Sequence, residues 1–204
     1  MQLQMILPMV MKEAEAYASA LKAFSYGQPI GDGVGPLIAS KLMHGYEIRK
    51  VPKDCVVATV PFEGRTALVL KAEGPGGNVG KPGEAIKQIM EQNEGKISLA
   101  ILIDAGGKLE GEKTGEVAEG VGALIGGPEV DKYKIEETAL KYKVPLLAVA
   151  IKEDLGDAIA PMRKEIFDAL DGAIDRVKRA IRERTKEGDF VIIAGIGNSI
   201  GIGQ

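Results

Sequence analysis

The feature that most constrains this chain is the apolar run Leu99-Ala100-Ile101-Leu102-Ile103, which delivers Asp104 into a loop holding Gly106, Gly107, Glu110, Glu112 and Glu116. A run without polar alternation is the pattern of a parallel strand buried on both faces, and ligands in such sheets collect beyond the carboxyl ends of the strands. Asp104 is therefore the first candidate functional residue. The structural alternative is that it caps the next helix or pins its loop by accepting backbone N–H bonds. The stretch 97–127 organises the remaining elements.

Ala, Lys, Glu, Met and Leu over residues 9–24 predict a helix that Gly27 and Pro29 end. The Gly- and Pro-rich turn 29–36 then feeds a helix over 37–43. Residues 55–60 and 66–72 read as two strands joined by a connection of hairpin length, an antiparallel edge. The pattern over 84–93 is helical, 116–127 fits either a short helix or an extended piece, and 131–143 is helical again. A buried strand over 144–151, a long amphipathic helix over 161–184 and a strand over 190–194 complete the chain. Alternating strands and helices predict an α/β domain in three layers, a mainly parallel sheet of about five strands with helices on both faces. With 204 residues, 45 % of them hydrophobic, one domain over 1–204 is expected, residues 1–28 being an N-terminal helix.

Composition removes several function classes. A net charge of −3 gives no basic field for nucleic acid or an anionic membrane, and 4 % aromatic residues without Trp leave few platforms for base stacking. The single cysteine, Cys55, excludes an internal disulfide and a cysteine zinc cluster, and the single histidine, His44, excludes His-rich metal sites. The apolar residues 5–11 are too short to span a bilayer and lack a basic lead-in. The expected setting is cytoplasmic, with no membrane insertion and no nucleic acid.

The densest glycine stretch, 73–83, invites comparison with a phosphate-binding loop, but Pro75 stands where that pattern needs Gly, and Pro82 where it needs Ser or Thr. Its backbone N–H groups at Gly76, Gly77 and Asn78, beside Lys81, would still suit an anion nest; otherwise it is a tight strand-to-helix connection.

Three segments carry a resemblance: Pro29-Ile30-Gly31-Asp32-Gly33-Val34-Gly35-Pro36, the 71–83 stretch from Lys71 to Gly83, and Gly195-Ile196-Gly197-Asn198. Together they resemble an archaeal family of domains of unknown function over most of the chain, matching the soluble C-terminal part of longer members, some of which carry an N-terminal apolar segment. A more distant likeness is to the hydrogenase-maturation endopeptidases and the spore germination protease. These carry a strand ending in Gly-Ile/Leu-Gly-Asn, an Asp-x-x-Gly-Pro loop opening a helix, and a strand ending in Asp-Ala. The matching segments here are Gly195-Ile196-Gly197-Asn198, Asp32-Gly33-Val34-Gly35-Pro36 and Asp104-Ala105. The likeness implies that Asp32 and Asp104 face one cleft, as metal ligands or as protease acids. The order differs, since the Gly-Asn strand closes the chain here, as a circular permutation requires, and the metal-ligating histidine of the maturation endopeptidases has no match.

Three readings follow. As a peptidase-like hydrolase, Asp32 and Asp104 are the catalytic pair, sharing a proton or holding a divalent cation with Glu73 or Glu110 and water. As a phosphate- or nucleotide-binding module, Gly33, Gly35, Glu73, Gly76, Gly77, Asn78, Lys81, Gly106, Lys113, Gly197 and Asn198 surround a small-molecule or peptide ligand at the strand ends. As a structural protein, the glycines serve tight packing and the chain assembles into a homo-oligomer. The expected site is the edge formed by Asp32, Glu73, Asp104 and Asn198.

Overall fold

Four segments carry Val, Ile, Leu and Ala at nearly every position, and in a computed structural model, which describes residues 2–52, 54–93, 95–124 and 129–204, they form four adjacent parallel strands. These are β3 (Arg65–Ala72), β4 (Ile97–Gly107), β6 (Leu146–Glu153) and β7 (Phe190–Gly195). The sheet has seven strands in the order β1-β2-β3-β7-β4-β6-β5, with β1 (Ile48–Val51), β2 (Cys55–Phe62) and β5 (Val117–Val121) pairing antiparallel to their neighbours. The fold is thus α/β with a mixed, largely parallel sheet. It exceeds the expected five strands because β1 and β5 are short and half exposed, so neither carries an apolar run to announce it.

The helices are α1 (Gln2–Tyr26), α2 (Val34–Met43) preceded by a 3-10 turn (Gly31–Gly33), α3 (Pro82–Gln92), α4 (Glu129–Tyr142), the five-residue α5 (Leu155–Ile159) and α6 (Lys164–Arg184). Side chains alternate along β4, so Leu99, Ile101 and Ile103 join one apolar cluster while Ala100 and Leu102 join another. The first cluster includes Val34, Ile38 and Met43 of α2 with Ile166, Leu170 and Val177 of α6. The second includes Ile86 and Ile89 of α3 with Ile135 and Ala139 of α4. Expected helix and strand bounds shift by a few residues; α1 begins earlier and carries Pro8 inside it, and Asp154, not a residue of the long helix, caps α5 by accepting the Asp157 N–H. Residues 125–127 of the organising stretch 97–127 lie outside the described residues. Among the described residues no helix is long and apolar enough to cross a membrane.

The turn before α2 sits directly on the ends of β4 and β7. A Cβ built on Gly35 would stand 2.3 Å from the Ile196 carbonyl oxygen and 2.4 Å from that of Ile103, and one on Gly195 would stand 2.2 Å from the Gly35 oxygen. Gly197, at φ +124, faces the Asp32 oxygen at 1.9 Å from its own hypothetical Cβ. Only glycine allows this approach of backbone to backbone. Gly172, exposed within α6 and open around its Cα, has no such constraint. In chemical denaturation, Gly35→Ala is expected to cost about 3 kcal/mol through overpacking against rigid main chain, while Gly172→Ala gains about 0.5–1 kcal/mol from helix propensity.

Candidate functional site

Beyond the strand ends a cavity of about 470 Å³ opens between α1, the 3-10 turn, α5 and the starts of α3 and α4. Its apolar wall includes Phe24, Ile30, Val79, Leu155 and Ile159, and its polar groups are Asp32, Asp131 and Asn198. Asp32 therefore lies where the strand-end rule expects a ligand to collect. It reaches this position because the glycine seating presses the turn onto Ile196 and Gly197, and the Asn198 N–H donates to Asp32 Oδ2 at 2.9 Å. Burial raises the Asp32 carboxyl above its usual range, and the Asn198 N–H offsets part of that rise. Asn198 is itself held: its Oδ1 accepts the Ile200 N–H at 2.9 Å, which orients the side-chain NH₂ away from that bond.

Asp104 differs from expectation. It lies inside β4, paired with Ala150, because β4 continues to Gly107, and the residue is 1 % exposed with its Oδ1 accepting the Ala105 N–H. It does not line the cavity. By alternation it points to the face of Ala100 and Leu102, whereas Glu153, the last residue of β6, points to the face of Val149 and Ile151. Glu153 is the acid the sequence reasoning missed, although the same rule applied to the run over 144–151 leads to it. It is 2 % exposed, and among the described residues neither of its carboxylate oxygens has a hydrogen-bond partner. Burial, then the charges of Asp32, Asp157, Asp104 and Asp154, push its pKa up to about 8. Its Oε2 lies against Gly31, 2.2 Å from where a Cβ would stand. Glu153 is thus a protonated carboxyl at neutral pH, packed behind the residue that precedes Asp32.

Asp157, also buried, has the opposite fate. Burial raises it, but hydrogen bonds from Thr114 and Arg163 outweigh that and leave it lowered. Thr114 Oγ1 donates to Asp157 Oδ2 at 2.7 Å, the Arg163 guanidinium is 3.0 Å from Oδ1, and Lys108 Nζ is 3.7 Å away.

The other expected residues scatter. Glu73 pairs with Lys50 at 2.7 Å, on the β1 side of the sheet, and does not join Asp32. Among the described residues no three His, Cys, Asp or Glu side chains form a group that could hold a metal ion, so the set Asp32, Asp104 and Glu73 is not assembled. Glu110, Lys81 and Lys113 are exposed, and none of them lines the cavity. Gly33 packs on Ile202 and the Asn198 oxygen, Gly77 on the Phe24 ring and Gly106 on Ala150, while Gly76 meets open space. The 73–83 loop turns carbonyls, not N–H groups, toward its neighbour: Ser199 Oγ lies 2.8–3.0 Å from the oxygens of Glu73, Gly76 and Asn78, and the Gly201 N–H donates to Pro75. Asn78 Oδ1 takes the Gly80 N–H, which tightens the connection from strand to helix. His44 is exposed at the end of α2.

Fold and site together define an α/β protein with an acid-bearing cleft at the carboxyl ends of its parallel strands. The chain belongs to the family described as "Domain of unknown function (DUF1512) C-terminal", whose model matches residues 30–203. No curated protein matches the sequence. All seven strands, the 71–83 and 195–198 segments and Asp32 lie within the matched region, whereas α1, which brings Phe24 to the cleft, lies before it.

Linkage fixes the sign of one pH effect. Glu153 binds its proton more tightly folded (about 8) than unfolded (about 4.5), so its contribution to stability is complete below pH 4.5 and is lost as pH rises through 8. Glu153→Gln is expected to flatten the fall in unfolding free energy between these pH values and to be the more stable protein above pH 8, by a few kcal/mol, in urea titrations at a series of pH values.

Proposed function

We propose that the cleft is the active site of a peptidase-like hydrolase that works with carboxyl groups and without a metal centre built from Asp32, Asp104 and Glu73. The observation that carries this reading is Asp32 itself, a fixed, partly desolvated carboxylate in the wall of a cavity otherwise mostly apolar. A raised carboxylate pKa makes a better general base. Asp32 takes a proton from water, the hydroxide adds to a substrate carbonyl, and the proton passes to the leaving amine as the C–N bond breaks. The Asn198 NH₂ polarises the carbonyl oxygen as its charge develops. Glu153 and Asp104 do not touch substrate in this scheme. By keeping its proton, Glu153 adds no further negative charge directly behind Asp32, since neighbouring carboxylates resist joint ionisation.

The phosphate reading has less support, because Asp32 and Asp131 would repel an anion and the cavity wall has no Lys or Arg among the described residues. The assembly reading is supported by α1, where Ile6, Leu7, Val10, Met11 and Leu21 are exposed, and it is compatible with a hydrolase. The single thiol, Cys55, is buried, which suits a reducing cytoplasm.

Asp32→Asn is expected to abolish cleavage of a pool of internally quenched fluorescent peptides, and Asn198→Ala to lower kcat by about a hundredfold, both with unchanged circular dichroism. A wild-type protein inert on the pool, or Asp32→Asn with full activity, overturns the reading.

A further inference from the structure

Among the described residues the cleft wall carries charge of one sign only. Asp32 enters it from the turn before α2, and Asp131 from the first turn of α4, where its main-chain oxygen stands 3.0 Å and its Oδ1 2.7 Å from a Cβ built on Gly83. Gly83 thereby lets α3 and α4 close together at this end and brings Asp131 to the cavity wall. Between the two acids the wall is made of Ile30, Val79, Pro82, Leu155, Ile159 and Phe24. Behind Asp32, against Gly31, lies the acidic group of Glu153, which adds no positive charge. Of the nearby cations, Lys134 pairs with Glu84 and also feels the Asp131 charge, Lys108 pairs with Asp154 and Asp157, and Lys152 with Glu112. Lys81, at the start of α3, turns its side chain to solvent.

A cavity of this size holds a ligand of a few to a dozen or so heavy atoms, and apolar walls with two acids select one kind of chemistry. We propose that the cleft binds substrates carrying a positively charged nitrogen on an apolar body, and that Asp131 is the residue that selects the charge. For a peptide this means a free amino terminus or a basic side chain beside an apolar one. An ammonium near Asp131 leaves the apolar part against Phe24 and Leu155 and the scissile carbonyl toward Asp32 and Asn198. Anionic substrates meet both acids in a poorly hydrated space and are rejected, which is discrimination by repulsion as well as by attraction. Phe24 comes from α1, before the matched residues 30–203, so α1 contributes one part of an apolar wall whose other residues lie within the matched region.

This substrate class rests on the hydrolase reading of the same cleft, and the two separate in one set of measurements on the whole chain. Benzylamine, benzyl alcohol and benzoate share an apolar body and differ in charge. In ligand-observed NMR titrations at pH 7, benzylamine is expected to bind about tenfold more tightly than benzyl alcohol, with benzoate weakest. Asp131→Asn is expected to remove most of the amine's advantage and leave the alcohol's affinity unchanged; Asp131→Glu restores it. Equal binding of the three probes, tighter binding of benzoate, or an amine preference that survives Asp131→Asn overturns the inference. Peptide cleavage indifferent to a basic group would leave the hydrolase reading standing and overturn this one. Selective amine binding without any peptide cleavage would uphold the charge selection and remove the hydrolase.

Discussion

The arrangement at the strand ends depends on one steric fact, the seating of the 31–36 turn on bare backbone. Gly35 lies against the carbonyls of Ile103 and Ile196, Gly195 against the carbonyl of Gly35, and Gly197 against that of Asp32, each closer than any side chain permits. These contacts join the ends of two neighbouring parallel strands to the start of α2, linking positions far apart in the chain. The hydrogen bond from the Asn198 N–H to Asp32 Oδ2 spans the same junction. Asp32 therefore sits on main chain that cannot slide without a clash, and a carboxylate placed in this way loses little freedom when a ligand arrives.

The last residues extend the junction. Residues 196–203 run between the 73–80 loop and the 27–33 turn, with Gly74 against the Ile202 oxygen and Gly201 against Gly27 and Pro29. Ser199, fully buried, fills the space among three carbonyls of the 73–80 loop. A loop with this density of glycines can cradle an anion only if its N–H groups converge outward. Here its acceptors converge inward on the chain's own C-terminal segment, and the glycines buy close packing.

Much of this was legible in the residues. The apolar runs over 97–103, 144–151 and 190–194 are strands because a segment buried on both faces must satisfy its backbone within a sheet, and that demand is local. The short edge strands β1 and β5 were not legible, since their half-exposed residues take strand form only because β2 and β6 offer unpaired edges. Asp32 and Asn198 were found through their Gly-rich neighbours. Asp104 was misplaced because an apolar run does not reveal that its strand continues through Asp104, Ala105 and two glycines to Gly107. Glu153 went unseen because Lys152 and Asp154 make its surroundings read as a solvated loop. Its burial follows from α5 and the Gly31 turn folding over the end of β6, a tertiary event with no sequence period.

Two neighbouring buried acids show why the site's charge distribution is informative. Asp157 has a guanidinium, a hydroxyl and an ammonium around it and is held ionised. Glu153, four residues earlier, has its Oε2 against Gly31 and is held protonated. If burial alone were being managed, the partners at Asp157 show that this region can supply them, and a Gln or Leu at 153 would avoid the cost altogether. A carboxyl left without partners beside Asp32 instead makes the proton the only means of neutralising it. The ionisation of Glu153 is then tied to that of Asp32, because each charge raises the cost of the other. A positively charged ligand nitrogen entering from the Asp131 side would relieve both, so occupancy of the cleft and the protonation of its acids are linked through the same few ångströms of buried space.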